Sequence, residues 1–134
     1  MLTSAQRFQS SQAERLGKEA RTPLEIDHLR HFDKISVDVG TLPGGTASLA
    51  SVEPDNLIIN TLKVSEDERD LVIRIYETAG TSVDGRLFLP FTNINSANEA
   101  NALEVAGRPL VAETHLVRFH IEPHQVLTLR IAIK

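Results

Sequence analysis

The most regular hydrophobic pattern of the chain lies at its C-terminal end. Over residues 126–134, apolar side chains occupy every second position, namely Leu127, Leu129, Ile131 and Ile133. Because strand side chains alternate between two faces, these four residues share one face of a β-strand. Burial of four aliphatic side chains contributes roughly 6–12 kcal/mol before the opposing terms are counted. We therefore predict a core strand at this end of the chain.

A second stretch, residues 56–77, predicts a β-hairpin. In its second half, alternation separates a core face from an opposite face, with Leu71, Ile73 and Ile75 on the first and Val72, Arg74 and Tyr76 on the second. In its first half the alternation is less clean, with Ile58, Leu62 and Val64 set against Ile59, Thr61 and Lys63. The β-branched residues there still favour a strand. Between the halves, Ser65–Asp70 carries four carboxylates, which are costly to desolvate and predict a solvated tip.

Other alternating stretches and turn residues predict further short strands. The expected strands cover Pro23–Ile26, Ile35–Val39, Ser48–Val52, Leu87–Phe91 and Val111–Ile121. A turn is expected at Leu42–Gly45. The Asp84–Gly85 pair suits a positive φ and predicts a second hairpin. Glu122–Gln125 predicts a turn that closes a third hairpin with the C-terminal strand. The Asn-rich run 93–101 favours no particular element, and Ala102, Leu103 and Val105 are compatible with a short strand.

These patterns predict an all-β fold, an antiparallel β-sandwich of short strands. The N-terminal part differs from the rest. Thr3–Gln6 and Ser11–Glu14 have the spacing of a helix capping box, but the apolar residues Phe8, Ala13 and Leu16 form a poor stripe. We expect Gly17 to end that segment. The domain boundaries are therefore a weakly helical or disordered tail over residues 1–21 and a sandwich domain over residues 22–134.

Charge and composition narrow the class of protein. The 134 residues carry a net charge of -4, so no basic surface is expected to attract nucleic acid or an anionic membrane. The chain has no cysteine, which excludes a disulfide framework and suits a cytoplasmic location. No run is apolar over a membrane-spanning length. The 4% aromatic content argues against a glycan-binding platform.

Several groups of side chains have the chemistry of a metal site or a hydrolytic site, but an ordinary structural role is favoured for each. The carboxylates of Ser65–Asp70 lack the spacing and the central glycine of a calcium loop, so a solvated turn is favoured. His28 and His31 have a helical spacing that suits metal ligands, but solvated loop histidines are favoured there. A site that gathers His115, His120 and His124 is disfavoured, because a strand places His115 and His120 on opposite faces. Ser, His and Asp all occur, but no nucleophile motif supports a hydrolytic triad.

The hairpin and the C-terminal end together resemble a known family. The residues that carry the resemblance are the run Ser48–Asn56, the ordered set Lys63, Glu66, Arg74, Tyr76, Glu77 and Gly80, and the closing run Pro123–Arg130. Over residues 23–134 the chain is similar to the C-terminal β domain of glycoside hydrolase family 38, the α-mannosidases. The resemblance implies a parent enzyme in which an N-terminal barrel, with an aspartate nucleophile and a zinc ion, hydrolyses α-mannosides with retention.

The resemblance carries no catalytic residue over to this chain. A retaining glycosidase needs two carboxyl groups across a sugar site, and the zinc needs convergent ligands, but no motif position here matches them. We therefore expect no catalytic, cofactor-binding or metal-binding residue in this chain, with zinc confined to the missing barrel. The remaining domains of the parent are the expected partner, and carbohydrate is reached only through that parent.

Arg74, Tyr76 and Glu77 are the predicted contact with the parent barrel. Arg74 and Tyr76 share the hairpin face opposite Ile73, where ordinary cross-strand packing is the competing explanation. The alternative function is a stand-alone carbohydrate-binding or protein-interaction module. An edge strand could also pair with the same strand of a second copy, so a homo-oligomer is a further possibility.

Overall fold

The computed structural model describes residues 10–21 and 48–134 of the protein. Five sequence predictions lie outside the described residues, namely the capping box Thr3–Gln6, the strands Pro23–Ile26 and Ile35–Val39, the turn Leu42–Gly45, and the pair His28 and His31. The described chain contains one helix and nine strands in two antiparallel sheets. The predicted all-β fold is therefore confirmed.

The two sheets are formed by strands from different parts of the chain. The four-stranded sheet has the order β1-β4-β8-β7, formed by Ser51–Glu53, Val83–Phe88, Leu116–Ile121 and Val111–Ala112. The five-stranded sheet has the order β2-β3-β9-β5-β6, formed by Leu57–Val64, Asp70–Glu77, Val126–Ile133, Ile94–Ala100 and Ala106–Pro109. Helix α1 spans Ser10–Arg21, and its Lys18 Nζ donates a hydrogen bond to Asn60 Oδ1 at 3.0 Å.

The hydrophobic core draws on both sheets. The predicted C-terminal strand is confirmed as β9, with Leu127, Leu129 and Ile131 buried, while Ile133 at its end is exposed. Opposite them, the four-stranded sheet contributes Leu87, Val117, Phe119 and Ile121. Gly85 accommodates the Phe119 ring, because a Cβ at residue 85 would lie 2.3 Å from two ring carbons. Gly85 is therefore a packing position inside β4.

Two of the three predicted hairpins are wrong. The β2–β3 hairpin is confirmed, with Leu62 opposite Ile73 and Val64 opposite Leu71. Asp84–Gly85, however, lies within β4, which pairs with β1 and β8. The Glu122–Gln125 turn carries the chain from β8 in one sheet to β9 in the other. A turn does form at Glu122–Gln125, whereas Asp84–Gly85 forms none. In both places the pairing partners of the strands are distant in sequence, and local patterns do not specify them.

The structure also differs from the sequence predictions in β2, in residues 93–105 and in helix α1. The register of β2 against β3 shifts at Asn60, so Ile58 lies on the face opposite Leu62 and Val64, rather than with them. The Asn-rich run forms β5, and residues 102–105 form a turn instead of a short strand. Helix α1 continues through Gly17 to Arg21, because one exposed glycine costs only about 1 kcal/mol among good helix formers.

Within residues 10–21 and 48–134, no helix combines the length and the apolar character needed to cross a membrane.

Candidate functional site

A fully buried carboxylate organises one end of the sandwich. Glu77 lies at the end of β3 opposite Leu57 and is 0% exposed. Five N–H groups donate to its two oxygens: Asn56 Nδ2 at 2.8 Å, Ala79 N at 2.7 Å, Gly80 N at 2.8 Å, Thr81 N at 3.3 Å and His124 N at 2.9 Å. We call this set the Glu77 network. It joins the start of β2, the loop after β3 and the turn before β9.

The hydrogen bonds of the Glu77 network keep the carboxylate charged. Burial alone raises the pKa of Glu77, but the donated hydrogen bonds from His124, Asn56, Ala79 and Gly80 outweigh burial and lower the pKa to about 2. The φ of Gly80 is 72°, and a Cβ at residue 80 would lie 2.8 Å from His124 Nε2. Both the backbone conformation and the space therefore favour glycine. A carboxylate held this way acts as a structural anchor rather than as a proton acceptor.

A second buried carboxylate lies on the outer face of the five-stranded sheet. Glu104 belongs to the turn between β5 and β6 and is 5% exposed. Lys63 Nζ approaches Glu104 Oε1 at 2.6 Å, and the backbone N–H of Glu66 donates to Oε2 at 3.0 Å. The hydrogen bond from Lys63 is the main cause that lowers the pKa of Glu104. The same contact raises the pKa of Lys63.

Arg130 links this turn to the hairpin tip. Its Nε lies 2.6 Å from Asp70 Oδ2, one NH₂ group lies 2.5 Å from Asp67 Oδ2, and the other donates to the Glu104 carbonyl at 3.0 Å. The pKa of Asp67 falls to about 2, first through its hydrogen bond with Ser65 and then through Arg130. Two carboxylates of the tip thus bind an internal arginine. We call Lys63, Asp67, Asp70, Arg74, Glu104 and Arg130 the acid–base cluster.

The predicted contact residues occupy different environments. Arg74 and Tyr76 lie on the outer face of the five-stranded sheet, as the alternation predicts, and both are half-buried. Arg74 donates to the Ala102 carbonyl at 3.2 Å and lies 4.0 Å from Glu104. Glu77 is buried within its own network, so any effect of Glu77 on a partner would be indirect. The contact with a parent barrel stays a prediction for all three residues.

The outer face of the four-stranded sheet is exposed. We call it the open face, defined by Asp84, Arg86, Arg118 and His120, all of which are exposed. Arg86 pairs with Glu53 at 2.9 Å, and Arg118 pairs with Glu113 at 3.1 Å. A groove of about 690 Å³ runs beside these side chains and is also lined by Arg108. The open face therefore presents charged groups to solvent.

One histidine of the open face joins a serine and an aspartate. His120 Nδ1 lies 2.7 Å from Asp84 Oδ1, and His120 Nε2 lies 2.9 Å from Ser82 Oγ. The hydrogen bond with Asp84 is the main cause that raises the pKa of His120. The sequence patterns do not predict this arrangement. Ser82 and Asp84 are only two residues apart in the sequence, but their approach to His120 depends on the pairing of β4 with β8.

The other two histidines of the sandwich have separate contacts. His115 Nδ1 lies 2.9 Å from the Thr92 carbonyl, and the His124 ring lies beside Gly80. Among the residues that the structure describes, no group of three His, Asp or Glu side chains is arranged to hold a metal ion.

An apolar patch lies at the free edge of the five-stranded sheet. Strand β2 is the outermost strand of that sheet among the described residues. Its exposed Leu62 and Val64 adjoin the exposed Leu49 and Phe91, and these side chains line a groove of about 310 Å³. Exposed apolar patches of this kind mark contact surfaces in many proteins.

Comparison with known families identifies the sandwich. The family model described as glycosyl hydrolases family 38 C-terminal beta sandwich domain matches residues 56–129. The match begins at Asn56 of the Glu77 network and extends into β9, so it contains that network and nearly all of the five-stranded sheet. No curated protein matches the chain. Because the family match covers more than half of the 134 residues, the chain belongs to the family of glycoside hydrolase family 38 C-terminal β-sandwich domains.

Proposed function

We propose that this chain is the non-catalytic C-terminal β domain of a family 38 α-mannosidase-like glycoside hydrolase. It packs against the zinc-dependent barrel of a parent enzyme that hydrolyses α-mannosides. The observation that carries the proposal is the family match over residues 56–129. Membership in a C-terminal domain family ties the chain to a larger enzyme, and the activity belongs to that enzyme.

The roles of the family-like residues support a structural function. Lys63, Glu66 and Arg74 surround the carboxylate of Glu104, while Glu77 and Gly80 belong to the Glu77 network. These carboxylates already accept hydrogen bonds from the chain itself. A retaining glycosidase instead needs two carboxyl groups that face each other across a sugar. The motif residues therefore serve the fold of this domain.

Two surfaces support packing against other domains. The apolar patch at the edge of β2 contains four exposed large side chains, Leu49, Leu62, Val64 and Phe91. Arg74 and Tyr76 provide a half-buried polar surface on the outer face of the same sheet. An exposed apolar patch of this kind favours contact with protein. Direct contact with a glycan is less favoured, because the chain has no Trp and one Tyr to stack on a sugar. A cytoplasmic location completes the proposal, since a chain without cysteine suits a reducing compartment.

An activity assay with separated domains tests this function. The purified chain is incubated with 4-nitrophenyl α-mannoside and zinc, alone and together with a family 38 α-mannosidase truncated before its C-terminal β sandwich. We expect no turnover by the chain alone and a higher activity of the truncated enzyme when the chain is added. Zinc-dependent turnover by the chain alone would contradict the proposal, and so would an unchanged activity of the truncated enzyme.

A further inference from the structure

The open face holds a serine, a histidine and an aspartate in the order of a nucleophilic relay. Asp84 and His120 are direct cross-strand partners in β4 and β8. Ser82 immediately precedes β4, two residues before Asp84. The distances are 2.7 Å from Asp84 Oδ1 to His120 Nδ1 and 2.9 Å from His120 Nε2 to Ser82 Oγ. All three residues are exposed, so a small substrate can reach the hydroxyl group.

The hydrogen bonds select the tautomer that such a relay requires. Asp84 is a carboxylate and accepts a hydrogen bond, so the neutral ring of His120 carries its proton on Nδ1. The lone pair of Nε2 then faces the Ser82 hydroxyl, which donates to it. A serine becomes a nucleophile when a base is placed to take its proton and a third group orients that base. We propose that Ser82 is an activated nucleophile that accepts the acyl group of an anionic activated ester.

The groove beside the relay determines the class of ester. Asp84 and His120 line the same groove as Arg86, Arg108 and Arg118. Guanidinium groups bind carboxylates through paired hydrogen bonds. Each of these arginines already has a glutamate partner, Glu53, Glu99 and Glu113 respectively, and an incoming carboxylate competes with that partner. An ester with a carboxylate a few atoms from its carbonyl fits this arrangement.

Exposure to solvent limits how strongly Asp84 and His120 activate the Ser82 hydroxyl group. Asp84 is 92% exposed, so water screens its interaction with His120. Glu122 lies 3.6 Å from His120 Nε2 and favours the protonated ring, as Asp84 does, whereas Arg108 opposes protonation. The relay therefore acts on esters with a good leaving group, such as a 4-nitrophenyl ester, and it acts at a pH high enough to leave His120 neutral.

The reaction balances without any further reactant except water. As Ser82 Oγ bonds to the ester carbonyl carbon, its proton moves to His120 Nε2. The bond between the carbonyl carbon and the aryl oxygen breaks, and the phenolate leaves with the electron pair. His120 then loses that proton to the solvent and becomes neutral again. Water attacks the acyl group on Ser82 and gives a proton to His120 Nε2. That proton passes to Ser82 Oγ as the acyl–oxygen bond breaks, which releases the acid and the free serine. This activity is separate from mannoside hydrolysis and does not depend on the proposed parent enzyme.

The test measures 4-nitrophenolate release from mono-4-nitrophenyl succinate by the whole chain. The variants are Ser82→Ala, His120→Gln and Asp84→Asn, with His115→Gln and Ser96→Ala as matched controls at exposed positions outside the relay. We expect at least a tenfold loss in Ser82→Ala and His120→Gln, a smaller loss in Asp84→Asn, and no change in the controls. Mass spectrometry of the quenched reaction should place the succinyl group on Ser82.

Each of the following results would contradict the proposal that Ser82 is the nucleophile for an anionic ester. A Ser82→Ala variant that keeps the wild-type rate would show that the imidazole alone, or a lysine, reacts with the ester. A succinyl adduct on any other residue would lead to the same conclusion. Equal rates with 4-nitrophenyl acetate and with the succinate ester would contradict the role of the arginine groove. Circular dichroism of each variant confirms that a lost rate does not reflect a lost fold.

Discussion

Charged side chains are partly buried on one outer face of the sandwich and exposed to solvent on the other. On the five-stranded sheet, the turn at residues 101–105 covers the outer face, so Val72 is fully buried there and the Glu104 carboxylate is held by Lys63. On the four-stranded sheet, Asp84 and Arg118 project into solvent. On both sheets, the alternation of side chains along each strand directs these strand residues away from the core. The covering turn makes the difference, because it removes water from charged groups that must then bind each other.

This comparison separates structural charges from accessible ones. Arg130 of the acid–base cluster joins Asp67, Asp70 and the Glu104 carbonyl. Arg118 of the open face has one carboxylate partner, Glu113, at 3.1 Å. A desolvated and multiply bonded charge affects stability, whereas an exposed pair contributes little. Substitutions at the buried carboxylates should therefore change stability more than substitutions on the open face.

Replacing the buried carboxylate should have the largest effect on stability. In Glu77→Gln, an NH₂ group replaces one of the two oxygens that accept hydrogen bonds, so some of the buried N–H donors lose their acceptor. We expect the free energy of unfolding to fall by about 3–5 kcal/mol. Urea unfolding followed by circular dichroism measures the change. The control is Glu68→Gln at the exposed hairpin tip, which should match the wild type. A Glu77→Gln variant as stable as that control would contradict the structural role of the Glu77 network.

Acid should remove the same stabilisation gradually. The pKa of Glu77 and that of Asp67 are both lowered to about 2 in the folded chain, from the ordinary values of 4.5 and 3.8. A lowered folded-state pKa stabilises the fold above the unfolded-state value, and this contribution is lost as the pH falls toward 2. These two groups should therefore leave the urea midpoint unchanged near neutral pH and should lower it below about pH 4.5. The decline should be shallower in Glu77→Gln. Equal slopes in both proteins would show that Glu77 is not a major cause of the acid sensitivity.

Removing the charge of Glu104 should loosen the turn without unfolding the sandwich. In Glu104→Gln, the ion pair with Lys63 is lost and the turn at residues 101–105 is held less tightly. We expect faster amide hydrogen exchange in that turn and in β3 beneath it, with a smaller loss of stability than in Glu77→Gln. The matched variant on the open face, Glu113→Gln, should leave exchange in β8 unchanged. Equal exchange behaviour in the two variants would remove the distinction between the faces.

The smallest effect is expected on the open face. Arg118→Ala removes an exposed side chain and its single ion pair. We expect the free energy of unfolding to change by no more than about 0.5 kcal/mol. Thermal melting at low and high salt measures it. A loss as large as that of Glu104→Gln would mean that the open face carries structural charges too.

The sequence predicts the strands better than it predicts their partners. Alternation correctly indicates β9 and the β2–β3 hairpin, because burial on one face leaves a period of two in the sequence. It does not indicate that β8 and β9 belong to different sheets. Gly85 illustrates the limit, since Asp84–Gly85 resembles a turn while its function is to make room for Phe119 across the strand pair.

The candidate site is less predictable for the same reason. The family-like residues Lys63, Glu66 and Arg74 are visible in the sequence, but their common partner, Glu104, lies about 30 to 40 residues further along the chain in a turn. The burial of Glu77 also depends on a distant contact, the N–H of His124. Electrostatic sites of this kind arise from long-range topology, which local patterns do not encode.

Direct association with a family 38 enzyme tests the central claim most clearly. The chain is titrated into a family 38 α-mannosidase truncated before its C-terminal β sandwich, and sedimentation velocity measures complex formation. We predict a one-to-one complex that Arg74→Ala weakens more than it lowers the melting temperature of the isolated chain. If the two proteins sediment separately at every concentration, this chain is not the C-terminal packing domain that we propose.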